Sequence, residues 1–157
     1  LIDTTLLSPA QLKNRISALF LESSDLSLLV NCVSFGFKYG LPNEADLVFD
    51  VRCLPNPFYV EALRSHTGEE AKVQAFVKKG GTADAFLVKL YDMLEFLIPN
   101  YVQEGKNQLV IGVGCTGGKH RSVTIANDLY QHLSRHEEFG LKLEHRDIRK
   151  DRKEKEV

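Results

Sequence analysis

The chain has 157 residues, 43% of them hydrophobic, which is enough for one domain with a real core and too little for two. Twenty Lys and Arg against 21 Asp and Glu give a formal net charge of −1, so nucleic-acid binding through bulk charge is excluded and would need a local basic patch. Three cysteines, Cys32, Cys53 and Cys115, without CxxC spacing, argue against a disulfide framework and a structural zinc site; no metal or cofactor is expected, and a reducing cytoplasm fits best. The longest apolar runs are strand-sized and no charged-then-apolar leader opens the chain, so neither a membrane span nor a signal peptide is expected. Beginning at Leu1 without a methionine suggests an excised domain or a processed product.

In chain order, Ser8-Pro9 reads as an N-cap with proline at the first helical position, and Leu12, Ile16, Leu19 and Phe20 then share one face of a helix to about Ser23. Residues 26–35 form a continuous apolar run, predicting a buried strand with Cys32 in the core. Residues 36–43 are a turn carrying Phe37, Lys38 and Tyr39, whose aromatics either cap the core or wall a ligand site. Residues 47–52 predict a second strand with Asp50 and Arg52 on one face. These two either pair with core-edge groups or line a crevice at the carboxyl end of the sheet, where Arg52 would reach a ligand.

The stretch from Leu54 to Phe58, with prolines at 55 and 57, excludes regular structure and opens a long loop to about Gly68 that carries Arg64 and His66. Residues 69–79 and 82–102 predict two helices split by Gly80-Gly81. In the second, Thr82 is the expected N-cap, Phe86, Leu90, Met93, Leu94 and Leu97 the expected core stripe, and Pro99 the expected kink or end. Residues 107–113 predict a third strand, residues 121–138 a helix burying Val123, Ala126, Tyr130 and Leu133, and residues 141–145 a short strand after Gly140. The whole is a single α/β domain: a mainly parallel sheet of about four strands covered by helices, in three layers. The tail from Asp147 onward is almost entirely charged and is either a solvated, mobile end or an RNA contact through Lys142, Arg146, Arg149, Lys150, Arg152 and Lys153.

The chemistry concentrates in residues 112–122, GVGCTGGKHRS, which leave an apolar strand and enter a helix. Glycines admit close backbone approach, the first helical N–H groups lack intrahelical partners, and Lys119, His120 and Arg121 add positive or protonatable groups, so the loop is an anion site. Gly112-x-Gly114-x-x-Gly117 is a literal dinucleotide fingerprint, but the expected further βα units do not follow it. A Walker A loop is absent, since His120 stands where Ser or Thr must hold magnesium. Cys115-x5-Arg121-Ser122 matches the loop of cysteine-dependent phosphatases, in which a helix terminus and an arginine stabilise a thiolate nucleophile. That chemistry also needs a carboxylic acid near the leaving group; Asp46 and Asp50 are candidates, without a recognisable acid loop around them.

The remaining reading is binding without turnover, and a longer match carries it. Ser34 to Gly40, Asp50-Val51-Arg52 with Leu54-Pro55-Asn56-Pro57, Thr67-Gly68, and Gly114 to Val123 resemble, in this order, the carboxy-terminal domain of the RapZ/YvcJ family of RNase adapters and nucleotide-binding proteins. The resemblance implies a non-catalytic domain, joined in family members to an amino-terminal P-loop domain. In the enterobacterial branch it senses glucosamine-6-phosphate, binds small regulatory RNAs, presents one to an endoribonuclease and forms homo-oligomers. Carried over by motif, a phosphorylated metabolite would lie on Cys115, Thr116, Gly117, Gly118, Lys119, His120, Arg121 and Ser122, with Ser34, Lys38 and Arg52 closing the pocket. The enterobacterial branch has a His after Leu-Pro-Asn-Pro where this chain has Phe58, which leaves the ligand's identity open.

Overall fold

The computed structural model describes residues 28–150; the helix expected over residues 8–23, together with Arg152 and Lys153, lies outside them. Four parallel strands, β1 (Leu29–Gly36), β2 (Leu47–Asp50), β3 (Gln108–Cys115) and β4 (Gly140–His145), form one sheet in the order β2-β3-β1-β4. The central pair β1 and β3 is buried along nearly its whole length, as expected for parallel strands covered on both faces. Cys32 has no exposed surface and burial pushes its thiol up to about 12, which makes it a core residue.

Among the described residues four helices connect the strands: the single turn α1 (Glu61–Arg64), α2 (Ala71–Val77) and the long α3 (Thr82–Glu104) between β2 and β3, and α4 (Arg121–Leu133) between β3 and β4. The core joins Val30, Cys32, Leu109, Ile111 and Val113 of the sheet to Val73 and Val77 of α2, Leu87, Leu90, Leu94 and Ile98 of α3, and Ile125, Ala126, Leu129 and Leu133 of α4. This all-parallel sheet with its helices is consistent with a three-layer α/β fold. On the return from β1 to β2, Ala45 comes close to Gly112, as does the Phe35 ring of β1. A Cβ on Gly114 would lie 2.5 Å from the Phe35 ring, so the first two glycines of the apparent dinucleotide fingerprint are packing positions inside β3.

Several expectations about boundaries change. The long loop after Pro57 contains a 3-10 turn (Pro57–Tyr59), with Asn56 capping it through a bond from the Phe58 N–H, followed directly by α1. Thr82 is the first residue of α3, whose N-cap is Gly81 in the left-handed conformation at φ 85°. Pro99 lies inside α3, which continues to Glu104. The buried stripe of α3 is Ala83, Leu87, Leu90, Leu94 and Ile98; Met93 of the expected stripe is exposed.

Candidate functional site

All four strands end at the same edge of the sheet, and the anion loop follows the central β3 there. Residues 116–120 connect β3 to α4, with His120 at the N-cap position; its side chain does not cap the helix, and Nε2 lies 3.1 Å from the Arg64 carbonyl oxygen. The first N–H groups of α4 therefore receive no side-chain cap from the N-cap residue. Behind the loop, the Cys115 thiol donates to Ser122 Oγ (3.1 Å) and accepts from the Gly118 N–H (3.3 Å). Gly118 adopts φ 75°, and a Cβ there would lie 2.6 Å from the Gly36 nitrogen, so both conformation and contact require glycine.

The four sequence motifs converge on this loop. Lys38 N–H donates to the Thr116 carbonyl, fixing the residue 36–40 turn against it. The Gly68 N–H donates to the Lys119 carbonyl, and a Cβ at Gly68 would strike His120 O at 2.4 Å. Arg121, only 6% exposed, donates through Nη1 to the carbonyls of Arg52 (2.7 Å) and Leu54 (3.4 Å) and through Nη2 to Thr116 Oγ1 (3.4 Å). It thereby ties the second motif to the fourth. Nε and the other Nη2 hydrogen have no partner among the described residues.

That spacing fits a known family along most of the chain: residues 28–149 match the family described as the RapZ C-terminal domain. The chain belongs to this family. Its relatives include proteins called nucleotide-binding protein from Agathobacter rectalis (53% identical over 96% of this chain) and Lachnoclostridium phytofermentans (56% over 96%). Nucleotide-binding protein Teth514_1178 of Thermoanaerobacter is 55% identical over 94% of the chain. The chain spans about half the length of these relatives, 52%, 53% and 52% respectively.

In this RapZ-family domain the cleft measures about 290 Å³ and is lined by Lys38, Cys115, Thr116, Gly117, Lys119, His120 and Arg121 together with Asn56, Phe58 and Tyr59. Among these described lining residues there is no Asp or Glu. Four of the expected ligand residues stand elsewhere. Ser34 is buried and its hydroxyl meets His145 Nδ1 at 2.7 Å, while His145 Nε2 lies 3.1 Å from Asn127 Oδ1. Burial holds the His145 pKa below its ordinary value. Gly118 and Ser122 form the back of the loop. Arg52 is held by Asp50 in a two-pronged pair (Nε to Oδ1 3.0 Å, Nη2 to Oδ2 2.7 Å), with its guanidinium carbon 4.2 Å from the centre of the Phe37 ring. The same hydrogen bonds keep the Asp50 carboxyl below the usual carboxylate range.

Of the two readings of the residue 36–43 turn, the packing of Phe37 agrees with the one in which its aromatics cap the core. Phe35 is fully buried and packs edge-on against Phe37 at 4.9 Å, whereas Phe58 and Tyr59 border the cleft. Their signal in the sequence was the flanking Pro55 and Pro57, which fix the backbone on which the aromatics stand. A further missed residue is Asp147, which is 1% exposed behind the loop. Its carboxylate accepts from the Gly36 N–H at 2.8 Å and pairs with Arg146 Nη2 (2.8 Å) and Lys150 Nζ (2.6 Å). Arg146 also donates to the Gly40 carbonyl. Of the expected RNA-binding residues, Lys142 and Arg149 are exposed, while Arg146 and Lys150 are engaged in this cluster. Among the described residues no helix is long and apolar enough to cross a membrane.

Proposed function

We propose that this regulatory RapZ-family domain binds a phosphorylated small metabolite in the Cys115–Arg121 cleft without turning it over. A cleft lined by Lys38, Lys119, Arg121 and His120 and by no carboxylate carries the reading. The glycine loop and the open amino end of α4 add N–H donors to those cations, the combination that holds a phosphate. Amino-sugar phosphates and nucleotide-sugars are the candidate ligands, and the cytoplasm is the compartment that supplies them. Calorimetry with glucosamine-6-phosphate, a nucleotide-sugar and inorganic phosphate tests this. Wild type should bind at least one of them, and Lys119→Ala should weaken that binding about tenfold or more, the loss of one charge-assisted hydrogen bond. No binding by any of the three would refute it.

The reading extends to RNA, presented to an endoribonuclease by a homo-oligomer, through the exposed Lys142 and Arg149. Gel shifts across a salt series should show Lys142→Ala weakening RNA binding across sequences and reducing the salt slope by about one. Affinity equal to that of a neutral control domain would remove the RNA half.

One observation favours a second reading, a cysteine-dependent phosphatase: the Gly118 N–H points at the Cys115 sulfur (3.3 Å), a donor that would also serve a thiolate nucleophile. Against it, the cleft offers no carboxylic acid, and the Asp50 carboxylate is occupied by Arg52. Hydrolysis of aryl or sugar phosphates that Cys115→Ser abolishes would establish it.

A further inference from the structure

A second concavity, of about 300 Å³, lies away from the anion loop, at the edge of the sheet where the strands begin. Its apolar walls are Ile98, Pro99 and Val102 on the carboxy-terminal half of α3 and Phe139, the residue before β4. Glu95, His136 and Glu138 complete the lining, and among the described lining residues there is no Lys or Arg. Several features favour a positive guest. Pro99 has no N–H to return to the Glu95 carbonyl one turn back, so that oxygen, on the pocket's own stretch of helix, lacks its α-helical donor. Glu95 also keeps a side-chain acceptor to spare. Its Oε1 meets both His132 Nε2 (3.1 Å) and His136 Nε2 (2.8 Å), while Oε2 has no partner among the described residues. Close by, α4 ends at Leu133, and the carboxyl end of a helix is the end that attracts cations. The site already gathers positive charge, since the bond to Glu95 holds the His136 pKa above its ordinary value.

We propose that this pocket binds a small organic ammonium ion, its apolar body against Ile98, Val102 and Phe139 and its charged nitrogen shared by the Glu95 carboxylate and the Glu95 carbonyl. The site is separate from the phosphate cleft and does not rest on that reading. No group of three or more His, Cys, Asp or Glu among the described residues is placed to hold a metal ion, which makes the cation an organic one. A neutral apolar guest would exclude water from the two acceptors without replacing it. A bare ammonium ion would leave the apolar walls in water. The volume stands at the small end of ligand pockets, so the body is a single ring or a short chain and not a peptide.

The test titrates the 157-residue chain with three probes at neutral pH. They are 2-phenylethylamine, 2-phenylethanol, which has the same body with an uncharged hydroxyl, and methylamine, which has the charge without the body. The phenylethylamine should bind about tenfold or more tightly than either of the others. Glu95→Gln should bring it down to the affinity of the alcohol while leaving the alcohol unchanged. Val102→Trp, which fills the pocket from a partly exposed position, should abolish binding of both. Far-ultraviolet spectra matching wild type will show that each variant is folded. Equal affinity for amine and alcohol would overturn the assignment of a cation. No binding of the amine at about 10 mM, where even an inefficient ligand of that size registers, would overturn the site, as would binding that survives Val102→Trp. A lysine-rich peptide that binds far more tightly than the free amine, or a dimer that Val102→Trp disperses, would give the pocket to a protein partner and overturn the small-molecule assignment.

Discussion

Gly36 and Gly117 face each other across one contact, yet a methyl group added to either has a different consequence. A Cβ on Gly36 would sit 2.5 Å from the Gly117 carbonyl carbon, whereas one on Gly117 meets nothing within 4 Å and stands on a residue that lines the cleft. Gly36→Ala should therefore cost about 1–3 kcal/mol of stability by overpacking, read as a lowered urea midpoint. Gly117→Ala should change stability by less than about 0.5 kcal/mol. It should nevertheless weaken binding of inorganic phosphate, and unchanged affinity would mean that the ligand does not use this face of the loop. At this scale the loop itself was legible, because glycines and cations before a helix have few other uses. Arg52 was not. The two-residue spacing that aims it toward the crevice also places Asp50 beside it, and a carboxylate at bonding distance takes the guanidinium first. Tyr59 escaped as well, since its direction is set by a 3-10 turn between prolines and no periodicity reports it.

Among the elements, α3 shows why strand and helix positions were readable while faces were not. Besides its buried stripe it carries Val88, Met93 and Phe96 on exposed positions, so more than one helical face is apolar and periodicity cannot choose between them. Its position is fixed by contacts no pattern announces. Tyr91 stacks on His132 with ring centres 3.8 Å apart, and Glu95 Oε1 meets His132 Nε2 at 3.1 Å and His136 Nε2 at 2.8 Å, with Glu138 3.4 Å from His136 Nδ1. The hydrogen bond to Glu95 raises the His136 pKa above its ordinary value. Stability from this clamp is therefore fully present below the unfolded pKa of about 6.5 and is lost as pH rises through the higher folded value. Both partners are partly exposed, so the effect should be about 1 kcal/mol or less. Urea midpoints should show His136→Ala destabilising at pH 5.5 and nearly neutral at pH 8.5. A pH-independent difference would assign the residue a packing role alone, through its stacking on Phe139.

For the whole molecule, parallel strands deliver their carboxyl ends to one edge, and the site draws on all four: Gly36 beside its register partner Cys115, the Asp50–Arg52 turn, and the Arg146–Asp147 turn after β4. The location of the site thus followed from the strand pattern, but its keystone did not. Asp147 opens a run of charges that reads as a solvated tail, and only the folded chain shows it buried behind the Gly36–Gly117 contact. Burial alone would raise its pKa, but bonds from Arg146, the Gly36 N–H and Lys150 outweigh burial and hold the carboxyl below its ordinary value. A carboxylate with a lowered folded pKa contributes stability that is complete above the unfolded value of about 3.9 and disappears as pH falls through the folded one. Asp147→Asn keeps an acceptor for the Gly36 N–H but loses the attraction of both cations, and should cost about 2 kcal/mol at pH 7. Its stability should fall less steeply than that of wild type below pH about 4; parallel acid profiles would show that another carboxylate governs the loss. Because Asp147 supports Gly36, and Gly36 backs Gly117, the same variant should weaken phosphate binding at pH 7 although its side chain does not line the cleft. Full affinity in a destabilised Asp147→Asn protein would show that the loop holds its shape without this support.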